Sequence, residues 1–436
     1  MSDVGRRLAE LRQLGLLRKM RLISGPQGPR VVLDGRPVML LCSNNYLGLA
    51  DHPRVREAAA DAAMRWGVGA GASRQASGTM TIHRRLEERL AGFMGTEAAL
   101  LYGSGYLANV GVVSALALPG EVVLSDELNH ASIADGCRLA KADTFVYDHC
   151  DLDHLELGLR EAEGRASLIV TDSVFSIDGD VAPLAGIVEL AHRYDCRVVV
   201  DEAHALGCVG PDGRGAVADA GLSGEVDVVV GTLGKALGAY GAFAACSQEM
   251  AAYLANLSRP FVFSTAPPPP AVAGALAALE LLVEQPRRVE KLRDNADCLR
   301  AELAHEGFEV AASATQILSL VVGDAGLATD LCEAAIERGV FAQAICPPSV
   351  PDRASRLRLT VMASHTRSEL CGAAEALGRA ALQVGFRPGA ESPVATAQDE
   401  ARAPRERPAA AAAGRRPVFF VGQAGEDAAG ALREAA

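Results

Sequence analysis

The sequence predicts an α/β protein: a large domain on a mainly parallel central sheet, followed by a smaller C-terminal α+β domain. Three observations predict it. First, "SLIVTDSVFS" (167–176), "CRVVVDEAH" (196–204) and "VDVVVGTLGK" (226–235) are short β-branched runs, each ending in polar residues. Continuous Val/Ile/Leu runs mark strands buried on both faces, as in parallel sheets. Second, the runs start about 30 residues apart, the length of one βαβ unit. Third, from about Pro286 the pattern becomes helix, strand, helix, strand, which is an α+β unit.

In chain order, residues 1–50 read as an N-terminal segment. Its start, "MSDVGRRLAELRQLGLLRKMR", is amphipathic and charged, without the apolar centre of a signal peptide. Asp3 and Glu10 argue against a mitochondrial presequence, so the expected location is cytoplasmic. The large domain is expected over 51–286. In it "AALLYGSGYLANVGVVSAL" (98–116) reads strand, glycine turn, helix, and "EVVLSDELNHAS" (121–132) reads strand with a polar end. "LAGIVELAHRY" carries Leu184, Ile187, Val188 and Ala191 at helical spacing. The small domain is expected over 287–388: helix "RRVEKLRDNADCLRAELAHEG", strand "LSLVVGD", helix "LATDLCEAAIERG" and strand "SRLRLTVMAS". Residues 389–436, rich in Ala, Pro and charge, read as a disordered tail, with "VFFVG" a candidate docking segment.

The chain has 436 residues, 49% hydrophobic and 22% charged, enough apolar material for a large core. A net charge of −12 without a basic stripe argues against a nucleic-acid partner but leaves room for a local anion site. No uncharged apolar run reaches membrane-spanning length, so no membrane partner is expected. Ten cysteines are scattered singly without a CxxC pair, which suggests neither a disulfide framework nor a zinc site, and no metal is expected.

In such sheets ligands bind beyond the carboxyl ends of the strands. Asp172, Ser176, Asp201, His204, Thr232 and Lys235 should therefore gather on one side. Lys235 stands alone among small residues in "GTLGKALGAYGAF" (231–243). It is not a P-loop lysine: that motif needs Gly at 229 and Ser or Thr at 236, where the chain has Val229 and Ala236. "GVGAGASR" (67–74) likewise fails the dinucleotide-binding spacing. Lys235 is either a loop lysine or a desolvated amine with the lowered pKa that imine chemistry needs. Asp201 is either a helix cap or a carboxylate that keeps a cation protonated. His204 is either structural or its partner. Ser104 and Gly105 precede a helix, whose free N–H groups bind phosphate, and Thr232 adds a hydroxyl; a plain glycine turn is the alternative. His130 either covers a flat ring or is a hydrogen-bonded core histidine.

Together these are the parts of a pyridoxal phosphate (PLP) site. The chain resembles the α-oxoamine synthases, fold-type-I PLP-dependent transferases, through eight motifs in order over roughly residues 5–388. They are "CSNNYLGLADHP", "GVGAGASRQASGTMTIHRRLEERLAGFMG", "DELNHASIADGCRLAKA", "VTDSVFSIDGDVAPL", "VVVDEAHALGCVGPDGRG", "GTLGKALGAYGAF", "FVFSTAPPP" and "PPSVPDRASRLRLT". The resemblance implies that Lys235 forms the Schiff base, Asp201 holds the pyridine nitrogen protonated, and His204 and Ser176 lie by the ring hydroxyl. It implies His130 stacked on the ring and Ser104, Gly105, Tyr106 and Thr232 around the phosphate. Thr265 would reach the phosphate across a homodimer interface, giving a shared active site. Asn44 and Arg358 would hold the amino-acid carboxylate, with Arg18 and Ser349 near the acyl substrate.

The implied reaction joins a small amino acid to an acyl thioester, on CoA or a carrier protein, with loss of CO2. Alanine and a pimeloyl thioester come first, glycine with an acetyl group second, and another acyl chain third. The chain departs from the family pattern at Cys150, Ser319, Cys346, Ser349 and Arg353. All but Cys150 bear on the acyl side. A non-catalytic partner subunit, which would lack the lysine, is the alternative of a different class.

Overall fold

The computed structural model describes residues 3–13, 19–310 and 313–389. The strands are, in chain order, β1 Ile23–Ser24, β2 Arg30–Leu33, β3 Arg36–Leu40, β4 Ala98–Tyr102, β5 Val122–Asp126, β6 Asp143–Tyr147 and β7 Ala166–Asp172. They continue with β8 Arg197–Asp201, β9 Val228–Thr232, β10 Ala242–Cys246, β11 Ile317–Gly323, β12 Val340–Phe341, β13 Gln343–Ile345 and β14 Ser355–Thr360.

The central sheet has seven strands in the order β4-β10-β9-β8-β7-β5-β6. The pairs from β9 across to β6 are parallel. The β-branched runs form β7, β8 and β9, and nearly every residue in them is buried, as two-sided coverage by helices demands. The register sets Asp172 directly opposite Asp201 at the carboxyl ends of β7 and β8.

One strand runs against the rest. β10 is antiparallel to both β4 and β9. Its sequence, AFAAC, is fully buried but has no β-branched residue, so the strand runs read above did not include it. β9 and β10 form a hairpin whose loop, 233–241, carries Lys235. The loop closes on itself: Leu233 N–H donates to Gly241 O (2.9 Å) and Ala239 N–H to Leu233 O (2.8 Å). Gly238 has φ +61°, and a Cβ there would lie 2.3 Å from the Ala50 nitrogen. Only glycine lets the loop seat against residues 49–50.

The helix Gly105–Leu116 is apolar on almost every side and buried, and it packs against the helix Ala131–Ala140. Both start at the carboxyl edge of the central sheet, after β4 and β5. The first strands join the C-terminal elements: β3 pairs in parallel with β12 through Val340↔Met39 and Phe341↔Leu40. The three-stranded antiparallel sheet β11-β14-β13 has Arg358 on its central strand, opposite Ser319 and Gln343. No helix among the described residues is long and apolar enough to cross a membrane. The expected tail from 390 onward, with "VFFVG", lies outside the described residues.

Candidate active site

The Lys235 ammonium group reaches inward from the hairpin loop and lies 2.7 Å from His204 Nε2. His204 Nδ1 is 2.7 Å from the Tyr46 hydroxyl. That hydroxyl donates to Asn44 Oδ1 at 3.0 Å, which also receives Arg358 Nη2 at 3.4 Å. Arg358 Nε donates to the Ser176 carbonyl. A continuous chain of polar contacts thus runs from Lys235 to Arg358 through His204, Tyr46 and Asn44. Gln316 fixes the His204 backbone by donating to its carbonyl (2.8 Å).

A second group faces it. Asp201, buried at the end of β8, accepts from Asn109 Nδ2 (2.6 Å) and from Ala203 N–H (2.7 Å). The contact with Ala203 is cap-like, so the two sequence readings of Asp201 are not exclusive. Asn109 also donates to Ser132 Oγ (2.9 Å), which sits 2.6 Å from His130 Nδ1. The Ser132 N–H points at that nitrogen from 3.2 Å, which assigns it as an acceptor and puts the ring proton on Nε2. The His130 backbone N–H donates to Asp172 Oδ2 (2.7 Å).

Electrostatics separate these groups. Burial pulls the Lys235 amine down from 10.5 to about 8, with Asp201 and Asp172 opposing that fall. Burial and the Lys235 charge push His204 well below its usual range, so it is neutral and can accept from the amine. Burial lowers His130 as well. The Asp172 carboxyl is driven up by burial and by Asp201 beside it. Burial also lifts the Tyr46 hydroxyl to about 12, which keeps it a donor.

The residues fit PLP on their own chemistry. Asp201 is buried and makes no ion pair among the described residues. With its hydrogen bonds from Asn109 and Ala203 already in place, Asp201 can take a protonated pyridine nitrogen as an ion-pair partner. The helix Gly105–Leu116 begins beside the end of β9: a Cβ on Gly105 would lie 3.9 Å from Thr232 Cβ. The first-turn N–H groups of Gly105 and Tyr106 have no intrahelical partner, which suits a phosphate. Ser104 caps this helix by accepting from Leu107 N–H (3.3 Å). Thr232 Oγ1 accepts from Gly234 N–H and donates to Gly241 O, both 3.3 Å.

Lys235, His204, Asp201, His130, Asn44, Arg358 and Ser176 are therefore brought into two facing networks, with Ser104, Gly105 and Thr232 at their edge. Tyr106 is half exposed and donates its hydroxyl to Asp135. Thr265 is exposed and bridges Ser73, with no contact to Lys235 or His204 among the described residues. Ser349 is exposed beyond the cis Pro347–Pro348 bond. Arg18 lies outside the described residues.

Sequence reasoning did not single out Tyr46, Asn109, Ser132 or Gln316, and it gave Asp172 no role beyond its strand end. Asn109 lies four residues after Gly105, on the same helix face, and that spacing was the available signal. Tyr46 stands two residues after Asn44 in the quoted "CSNNYLGLA".

The aminotransferase class I and II family model matches residues 36–377. An 8-amino-7-oxononanoate synthase of Citrifermentans bemidjiense is 47% identical over 389 residues, 88% of this chain and 100% of the relative. Another of Anaeromyxobacter dehalogenans is 48% identical over 374 residues, 86% of this chain and 94% of the relative. Among solved structures, an SPT with PLP as the internal aldimine superposes with TM-score 0.84 at 30% identity, over 88% of this chain and 98% of that one. Serine palmitoyltransferase of Sphingomonas wittichii gives 0.83 at 30%, over 88% and 97%. An 8-amino-7-oxononanoate synthase of Francisella tularensis shares the fold, with TM-score 0.69 at 24% identity over 80% of this chain and 99% of that one. The chain belongs to the aminotransferase class I and II family, in the α-oxoamine synthase branch of fold-type-I, PLP-dependent transferases.

Proposed function

We propose that the chain condenses alanine with a pimeloyl thioester, losing CO2 and the free thiol, as an 8-amino-7-oxononanoate synthase of biotin formation. The observation that carries this reading is the Lys235 amine, about 8 in pKa, in contact with a neutral His204 and facing a buried Asp201 with no cation of its own. The relatives named 8-amino-7-oxononanoate synthase support a reaction of that type, and alanine with a pimeloyl thioester is the pairing proposed for it.

In this reading Asp201 would hold the ring nitrogen of the cofactor, and His130, His204 and Ser176 would hold the rest of the ring. Gly105 and Tyr106 N–H, with Ser104 and Thr232, would hold the phosphate, joined by Thr265 of a second copy in a homodimer. PLP supplies an electron sink for the α-carbon of the bound amino acid. Lys235 acts twice. Its Nζ would hold the cofactor and would also accept the α-proton of the bound amino acid. An amine near 8 is neutral often enough at pH 7 for that task, and neutral His204 accepts a hydrogen bond from it. Arg358 and Asn44 grip the amino-acid carboxylate; Arg358 is pre-aimed by the Ser176 carbonyl.

Transfer of deuterium from solvent to the α-carbon of glycine, alanine and serine, followed by a panel of acyl thioesters, tests this. Exchange with glycine alone rules out the alanine reading. A second reading, a different acyl chain, draws on residues 346–353. There Cys346 and the exposed Ser349 replace the expected types, and Arg353 adopts φ 63° where glycine is usual. The same thioester panel decides it.

A further inference from the structure

Cys298 and Glu302 lie one turn apart on the helix Arg287–His305. Cys371 lies on the helix Arg367–Gln383, which packs alongside. The two sulfurs and a Glu302 carboxylate oxygen all lie within 4.8 Å of one another, and all three residues are half-buried. Glu302 makes no ion pair among the described residues and stands beside the Cys371 thiol, which also feels the Arg367 charge. The cysteines stand 73 positions apart (371 minus 298), so no CxxC spacing announces them.

We propose that Cys298, Glu302 and Cys371 bind a thiophilic divalent cation of the zinc class. Two sulfurs and one carboxylate are a soft donor set that selects zinc-like ions over magnesium or calcium. Tetrahedral zinc, with Zn–S about 2.3 Å and Zn–O about 2.1 Å, sets donors about 3.5–3.8 Å apart. The donors, no more than 4.8 Å apart, need to close by about 1 Å to reach that spacing. Binding forms two Zn–S bonds and one Zn–O bond, releases two thiol protons to solvent, and leaves the fourth position to water.

The other trio of ligand-type side chains, Asp126, His149 and Cys150, is different. His149 uses both ring nitrogens, toward Asp126 (2.9 Å) and Asp180 (2.6 Å), and has no lone pair to offer. Among the described residues, the donors at 298, 302 and 371 take no ion pair or side-chain hydrogen bond elsewhere. A bound ion ties the first helix after Pro286 to the helix that ends the described chain.

The test is titration of the chelator-treated holoenzyme with cobalt(II), read by absorption. The expected result is a thiolate-to-cobalt charge-transfer band with tetrahedral d–d bands, saturating at one cobalt per chain. Zinc should compete it away and raise the melting temperature. Cys298→Ser/Cys371→Ser should abolish the bands, and Cys150→Ser should leave them. Glu302→Gln keeps both thiols and should weaken cobalt binding at least about tenfold, which serves if the double variant folds poorly. No band, a band retained in the double variant, or a Cys298–Cys371 disulfide whose reduction yields no cobalt uptake overturns the proposal.

Discussion

Replacing Lys235 with methionine should make the cofactor-free protein more stable at neutral pH. The amine is moved from 10.5 unfolded to about 8 folded, chiefly by burial. Between those values the unfolded chain binds more protons than the folded one, so stability rises with pH across the window. Below about 8 the full cost is present, about 3 kcal/mol for that displacement. Removing the amine also forfeits its hydrogen bond to His204, worth about 1 kcal/mol. The net gain for Lys235→Met at pH 7 is therefore about 2 kcal/mol, and the residue's partial exposure makes this an upper figure. Urea unfolding of both cofactor-free proteins from pH 6 to 10 measures it. The variant's advantage should shrink steadily above pH 8 and vanish toward 10.5. A variant less stable at pH 7, or an advantage independent of pH, would refute the claim that burial has lowered this amine.

Tyr46→Phe leaves His204 Nδ1 and Asn44 Oδ1 without the hydroxyl between them. With buried unsatisfied groups costing about 1–3 kcal/mol, kcat/KM should fall about fivefold or more while circular dichroism stays unchanged. Arg358→Lys removes the planar fork aimed by the Ser176 carbonyl. It should raise KM for the amino acid more than about tenfold without changing KM for the thioester, as steady-state kinetics would show. Gly215→Ala should destabilise by at least about 2 kcal/mol in thermal melts, because Gly215 has φ +103° and a Cβ there would lie 1.4 Å from Glu202 Oε2. Glu202 itself is pushed up to about 8 by burial, so its contribution to stability falls as pH rises from about 4.5 to 8. Glu202→Gln should flatten that part of the pH–stability curve.

The strands that carry the chemistry were legible because β7, β8 and β9 are buried on both faces and so must be written in Val, Ile and Leu. Strand ends in such a sheet share one edge, and that alone brought Asp201, His204 and Lys235 together. β10 escaped because three alanines and a cysteine fill four of its five buried positions, leaving Phe243 as its one strong strand former. Asn109 escaped because its helix is apolar all round, and periodicity cannot mark which face holds a polar exception. Arg358 and Asn44 belong to elements 314 positions apart, a juxtaposition no local pattern encodes; only the family resemblance named them. The pairing of β3 with β12 is hidden for the same reason.

The reversed strand β10 has a mechanical consequence. It turns the lysine-bearing segment into a hairpin closed by its own backbone hydrogen bonds, so Lys235 is held by sequence neighbours beside the central sheet. Arg358 hangs instead on β14, in a separate three-stranded sheet with its own supports. On the proposed roles, a small slide of that sheet would loosen the grip on the amino acid while leaving the covalent anchor where it is. Binding and release of substrate can then be tuned without loosening the cofactor.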